Sequence, residues 1–217
     1  MKIKNFTYSI VLFLMFVIYT IVIKFVDVSA IGPNNSFVGF ASINKFFANI
    51  FKYNEFFYDI SKIIALFAFL FIGAFAIVGL VQLIKRKSFK KVDFEIYGMA
   101  VMYIITALFY VIFEIIVINY RPILEDGELE ASFPSSHTML AVSVFGCAVV
   151  YALKKMTSST IRTIVIVSGS LFAALMALSS MISGVHWFTD ILGGVLLGFA
   201  LISFYLGICN ECQTRKK

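Results

Sequence analysis

Long apolar runs alternate with short polar stretches along this chain, and six runs dominate the pattern: residues 6–26, 63–84, 94–119, 138–153, 163–183 and 188–209. A hydrocarbon core of about 30 Å is crossed by about 20 helical residues. The fourth run is short for this and is expected to extend by a turn at one end. A backbone in lipid must satisfy its own hydrogen bonds, and the two-residue alternation of a barrel is absent, so all six runs read as helices. The pattern predicts an all-α polytopic bundle of six transmembrane helices, a single integral-membrane domain over residues 1–217 with no linker.

Two segments near the first run carry a second meaning. Lys2 and Lys4 precede it and Val28-Ser29-Ala30 resembles a signal cleavage site. The run is longer than the about 7 to 15 apolar residues usual in a signal peptide, which favours a retained helix. Further on, Ile43, Phe46, Phe47 and Ile50 recur at helical spacing, with Asn44, Lys45, Asn49 and Lys52 elsewhere around the turn. Residues 42–52 therefore read either as a helix lying in the membrane interface, walling the entrance for a lipid that arrives sideways, or as a loop helix packed on the bundle.

Composition agrees with the pattern. The chain is 61% hydrophobic and 14% charged, against roughly 45 to 50% apolar in soluble proteins. The net charge of +6 does not mark a nucleic-acid partner, because the basic residues form no single patch and fall in alternating loops. With the N-terminus inside, Lys2, Lys4, Lys85, Arg86, Lys87, Lys90, Lys91, Lys154, Lys155, Arg162, Arg215, Lys216 and Lys217, 13 of 18 basic residues, face the cytoplasm. This is the distribution the positive-inside rule requires. The opposite side keeps Lys24, Lys45, Lys52, Lys62 and Arg121 beside seven acidic residues, four of them in the loop 125–130. Cys147, Cys209 and Cys212 give no disulfide framework, and the lone Cys209-x-x-Cys212 spacing lacks the partners of a metal site.

Three polar clusters occupy the outer ends of the third to sixth runs: Asn119-Tyr120-Arg121-Pro122, Pro134-Ser135-Ser136-His137 and His186-Trp187-Phe188-Thr189-Asp190. They hold both histidines of the chain, and titratable groups at such depth invite a functional reading. His186 and Asp190 stand four apart, neighbours on a helix face, where a carboxylate either orients an imidazole as a nucleophile or merely caps a helix end. Ser135 and Ser136 open the fourth run, a helix N-terminus that binds phosphate or carries an ordinary cap. Arg121, read as ending the third helix, either forks onto phosphate oxygens or snorkels to the interface.

Taken in order, the Arg-Pro, Pro-Ser-x-His and His-x-x-x-Asp clusters resemble the type-2 phosphatidic acid phosphatases and their vanadium haloperoxidase relatives, over a core of residues 114–197. The resemblance implies an integral-membrane lipid phosphatase acting on a lipid phosphate or pyrophosphate, with the bilayer as its setting and no metal or other cofactor. By the same resemblance, His186 attacks phosphorus to give a phosphohistidine and Asp190 orients it. His137 protonates the leaving oxygen and then activates water, while Arg121, Ser135 and Ser136 hold the equatorial oxygens.

Three positions depart from the family pattern. Glu114 stands where the family has lysine, Ser180 where it has arginine, and Ser136 where it has glycine. The first two changes take the phosphate pocket from about three positive charges toward one positive and one negative. At an effective dielectric near 20, a unit charge at about 4 Å is worth roughly 4 kcal/mol. A second reading therefore stays open: a weakened or inactive phosphatase-like protein that binds phospholipid head groups or a partner protein. A transporter or channel is disfavoured, since the charges cluster at one face and no inverted repeat is visible.

Overall fold

Each of the six apolar runs forms a helix long and apolar enough to cross a membrane. The structure is a computed structural model describing residues 6–215, with Lys2, Lys4, Lys216, Lys217 and the Arg215 side chain outside the description. The elements in order are α1 (Thr7–Phe25), β1 (Ser29–Ala30), β2 (Phe37–Val38), α2 (Ala41–Ile50), α3 (Glu55–Arg86), α4 (Phe94–Ile115), α5 (Ser136–Lys155), α6 (Ser159–Ile182) and α7 (Phe188–Arg215). β1 and β2 pair antiparallel, Ser29 opposite Val38 and Ala30 opposite Phe37. No disulfide joins Cys147, Cys209 or Cys212.

Local chemistry moves several helix ends from where hydropathy alone puts them. α3 starts two turns early because Asn54 caps it: its Oδ1 accepts from the Phe57 N–H at 3.3 Å, and Glu55 sits in the first turn beside the positive end of the dipole. α5 is lengthened at both ends, not one.

The largest correction concerns the third span, which stops at Ile115 instead of running to residue 119, so Arg121 does not end a helix. The chain instead folds back as a hairpin. Tyr120 bridges Ala131, the Arg121 N–H donates to Glu130 O at 3.0 Å, and the Ser132 N–H donates to Asn119 O at 2.9 Å. Its tip turns at Asp126 (φ 52°) and Gly127 (φ 85°). Two successive positive φ values are what a tight two-residue hairpin turn demands, and Asp-Gly adopts them readily.

α5 is the central helix, packed by α3, α4, α6 and α7. Its apolar stretch is 67% buried, whereas those of α1, α3, α4 and α6 are only 17–28% buried and so give most of their surface to lipid. α7 reaches α5 closely at Gly194, where an added Cβ would lie 2.7 Å from Ser135 O and 3.1 Å from Met139 N. That approach lets the Ser135 N–H donate to Asp190 O at 2.9 Å, docking the first turns of the two helices.

α2 confirms a helix in the 42–52 segment but inverts part of its expected orientation. Asn44 is fully buried; its side-chain amide donates to Gly39 O at 2.8 Å and to Thr189 Oγ1 at 2.9 Å, and its Oδ1 accepts from the Thr189 N–H at 3.2 Å. Phe47 stacks on Phe188 with ring centroids 4.0 Å apart. Ile43, Phe46 and Ile50 are left exposed. A single buried amide satisfied by α7 thus fixes the rotation of α2 and turns three apolar side chains outward.

Candidate active site at the hairpin end of the bundle

The three polar clusters lie at one end of the bundle, on the hairpin, the first turn of α5 and the start of α7. His186 precedes α7, which begins at Phe188, so His186 and Asp190 do not share a helix face as the spacing predicts. Among the described residues no hydrogen bond joins them directly. Ser132 stands between: its hydroxyl donates to Asp190 Oδ2 at 2.6 Å, and its Oγ lies 3.1 Å from His186 Nδ1. Asp190 also accepts from Asn119 Nδ2 and from the Trp187 N–H, each at 3.1 Å, the latter closing the start of α7 as an acid does in a capping box. The other ring nitrogen, His186 Nε2, is buried with no hydrogen-bond partner among the described residues. Burial, reinforced by the charge of Arg121 and by His137, pushes the His186 pKa well below its ordinary value, against the pull of the Ser132 backbone. The ring is therefore neutral at physiological pH.

Arg121 is buried and held by acid. Its guanidinium pairs with Glu125 and, through Nη2, with Glu130 at 3.3 Å; the Tyr58 hydroxyl lies 3.4 Å from Nη1 and donates to Glu125 Oε1 at 2.6 Å. Arg121 Nε is buried with no partner among the described residues. Burial alone would raise the Glu125 pKa, but the Tyr58 hydrogen bond and the Arg121 charge outweigh it and hold Glu125 below the ordinary range. For Glu130 burial and the neighbouring Glu125 win over Arg121, and its pKa rises. Lys62 sits 4.0 Å over the Tyr58 ring and pairs with Asp59 at 3.3 Å, close enough for its charge to bear on Glu125.

A cavity of about 740 Å³ opens between α3, α4 and α5. Arg121, Glu130, Ser136, His137 and Glu114 line its polar end, while Ala65, Phe69, Ile72 and Leu140 belong to its apolar walls. His186 does not line it; with Pro122, Phe47 and Met181 it borders a separate small hollow. Arg121-Pro122 thus touches both spaces.

The remaining predicted residues fall in different surroundings. Ser136 faces the cavity, whereas Ser135 is fully buried with its hydroxyl 3.0 Å from that of Thr138. Ser180 is buried behind α5, where its hydroxyl accepts from Thr138 at 3.4 Å. Glu114 is exposed at the cavity edge beside Tyr110. Ser132, Tyr58 and Glu125 escape sequence reasoning as site residues. Ser132 lies outside the Pro-Ser-x-His pattern, Tyr58 comes from a distant helix, and Glu125 reads as one acid of a solvated loop.

The fold defines a class: a polytopic helical membrane bundle, with its polar clusters gathered at one end. Residues 98–212, more than half of the chain, match the PAP2 superfamily, and the chain belongs to it. Phosphatidylglycerophosphatase B of Bacillus subtilis (strain 168) is 32% identical over 96 residues, which are 44% of this chain and 46% of that protein, so the match spans less than half of that relative. The crystal structure of a transmembrane PAP2-type phosphatidylglycerolphosphate phosphatase from Bacillus subtilis has the same fold, with a TM-score of 0.65 at 21% identity over 96% of this chain and 97% of that one.

Proposed function

We propose that this chain hydrolyses the phosphate of a membrane lipid phosphate or pyrophosphate through a phosphohistidine, at the outer face of the membrane. The observation that carries the reading is the neutral, buried His186, whose Nε2 has no partner among the described residues, close enough to Arg121 and His137 for both to act on its charge, while those two line the polar end of the neighbouring apolar-walled cavity. The cavity volume suits acyl or prenyl chains, and its mixed lining suits a polar head held at one end.

In the first step His186 Nε2 forms a bond to phosphorus as the bond from phosphorus to the lipid oxygen breaks, and His137 delivers a proton to that oxygen. In the second, His137 takes a proton from water, the water oxygen bonds to phosphorus, and the N–P bond breaks to release inorganic phosphate. Arg121 and the first-turn N–H groups of α5 hold the non-bridging oxygens, and such positioning and charge stabilisation supply most of the catalysis in phosphoryl transfer. The outer-face reading is supported by the basic ends of α3 and α5, with Lys85, Arg86, Lys154 and Lys155, which lie at the opposite end of the bundle from the histidines.

The name of the Bacillus relative makes phosphatidylglycerophosphate the first substrate to try. Purified protein in detergent is expected to release phosphate from it, or from phosphatidate, a prenyl pyrophosphate or a sphingoid phosphate, and His186→Ala is expected to abolish the release. No turnover across this panel, or full turnover in His186→Ala, would leave the binding-protein reading in its place.

A further inference from the structure

We propose that Ser132 is a positioning residue that couples Asp190 to His186, fixing the ring in the tautomer that carries its proton on Nδ1 and leaves Nε2 as the attacking atom. The kinetic consequence rests on the phosphohistidine reading above; the tautomer does not.

The assignment follows from counting donors. Asp190 is fully buried and its two oxygens face three groups, the Ser132 hydroxyl at 2.6 Å, the Trp187 N–H at 3.1 Å and the Asn119 amide at 3.1 Å. Three donors converging on its two oxygens favour the ionised carboxylate, which only accepts, and the single hydroxyl proton of Ser132 is then committed to Asp190. The 2.6 Å separation is that of a charge-assisted O–H···O bond. The serine oxygen then has only lone pairs to offer His186 Nδ1 at 3.1 Å. Nδ1 must therefore be the donor, and a neutral imidazole protonated there has a bare lone pair on Nε2. Nε2 is the ring atom found without a partner among the described residues.

Ser132 is itself held in place. It is buried, and its N–H is tied to Asn119 O at 2.9 Å across the base of the hairpin. Asn119 also donates to Asp190, so one ribbon supplies both the hydroxyl and the amide that define the carboxylate's bonds. When the N–P bond forms, the ring becomes cationic while its Nδ1 proton stays in place. The Nδ1–H to Ser132 to Asp190 chain then stabilises that charge without any proton crossing it.

The chain has two histidines, so full-length protein in detergent with ¹⁵N-labelled imidazole rings shows two ring systems, and His137→Ala leaves the His186 signals alone. The native protein is expected to show His186 protonated at Nδ1 and bare at Nε2. Ser132→Ala is expected to lose the uniform tautomer and to lower kcat on phosphatidylglycerophosphate by about 10- to 100-fold with KM little changed, the size seen for lost orienting partners elsewhere. Ser132→Thr, which keeps the hydroxyl, is expected to recover most of both. A native His186 protonated at Nε2 would overturn the proposal whether or not any variant folds, as would Ser132→Ala with tautomer and kcat unchanged. An Nδ1-protonated ring in a protein that hydrolyses no lipid phosphate would sink the enzymatic reading while leaving the coupling intact.

Discussion

Arg121 and Glu125 form a direct ion pair, and Glu130 joins it 3.3 Å from Arg121 Nη2, so the cation proposed to hold phosphate is already held by two carboxylates. A phosphate must therefore compete with the hairpin's own acids for the guanidinium, and Nε, buried without a partner among the described residues, is a donor still open to it. Glu125→Gln removes one competing charge and is expected to lower KM for a lipid phosphate about fivefold, equivalent to about 1 kcal/mol. Arg121→Ala is expected to raise KM and depress kcat together. A KM that rises in Glu125→Gln would mean that the carboxylate aims the arginine instead of blocking it.

The depressed pKa of His186 has a definite sign in a pH profile. The attacking form is the neutral ring, which persists as pH falls through about 6.5, the ordinary histidine value, and is lost only below the lower folded-state pKa. The acid limb of kcat/KM that belongs to His186 is expected well below pH 6.5. Stability runs the same way. The unfolded chain binds a proton near pH 6.5 that the folded chain refuses, so stability contributed by His186 is present above that pH and declines as pH drops below it. Rate profiles and thermal melts in one buffer series test both.

Ser180 stands where the family has arginine, but restoring the arginine is not expected to restore charge to the pocket. The side chain is buried behind α5 and touches Thr138 and the Met176 sulfur. Ser180→Arg would bury an unpaired cation and overpack the contact, costing about 3 kcal/mol or more. A markedly lower melting temperature in detergent is the expected result, whereas Ser180→Ala should melt and turn over nearly as the native chain does.

Gly194 allows the docking of α7 on α5. Gly194→Ala would drive a methyl group toward the Ser135 carbonyl, a backbone atom that cannot swing aside. A loss of about 1–3 kcal/mol in stability is expected, together with a lower kcat because Ser135 and Asp190 are drawn apart. Thermal unfolding and single-turnover rates measure the two effects separately.

How much of this was legible beforehand depended on which force set each feature. The six spans were readable because lipid imposes both their length and their apolarity, and the polar clusters were readable because charge at membrane depth is rare. The end of α4 was not, since Ile115, Ile116, Val117 and Ile118 continue the apolar run and hydropathy gives no stop signal. What ends the helix is tertiary: Asn119 turns its side chain to Asp190 and to the Gly39 N–H, 3.1 and 3.3 Å away. Asn44 misled for the same reason, because a polar residue at an amphipathic spacing reads as outward until a partner such as Thr189 is known. Ser132 offered no pattern at all, since its meaning lies in two residues more than fifty positions later in the chain.

Because Arg121 is set by strand pairing and not by helix pitch, its direction is a matter of register. Side chains alternate along a strand, so a slip of one residue would turn Arg121 away from its present neighbours, while changes confined to the tip leave the pairs at its base in step. Asp126, Gly127 and Glu128 at that tip are exposed. The tip is accordingly the natural place to insert an epitope or a fluorescent label, and antibody access to it in intact cells would read the sidedness of the protein directly.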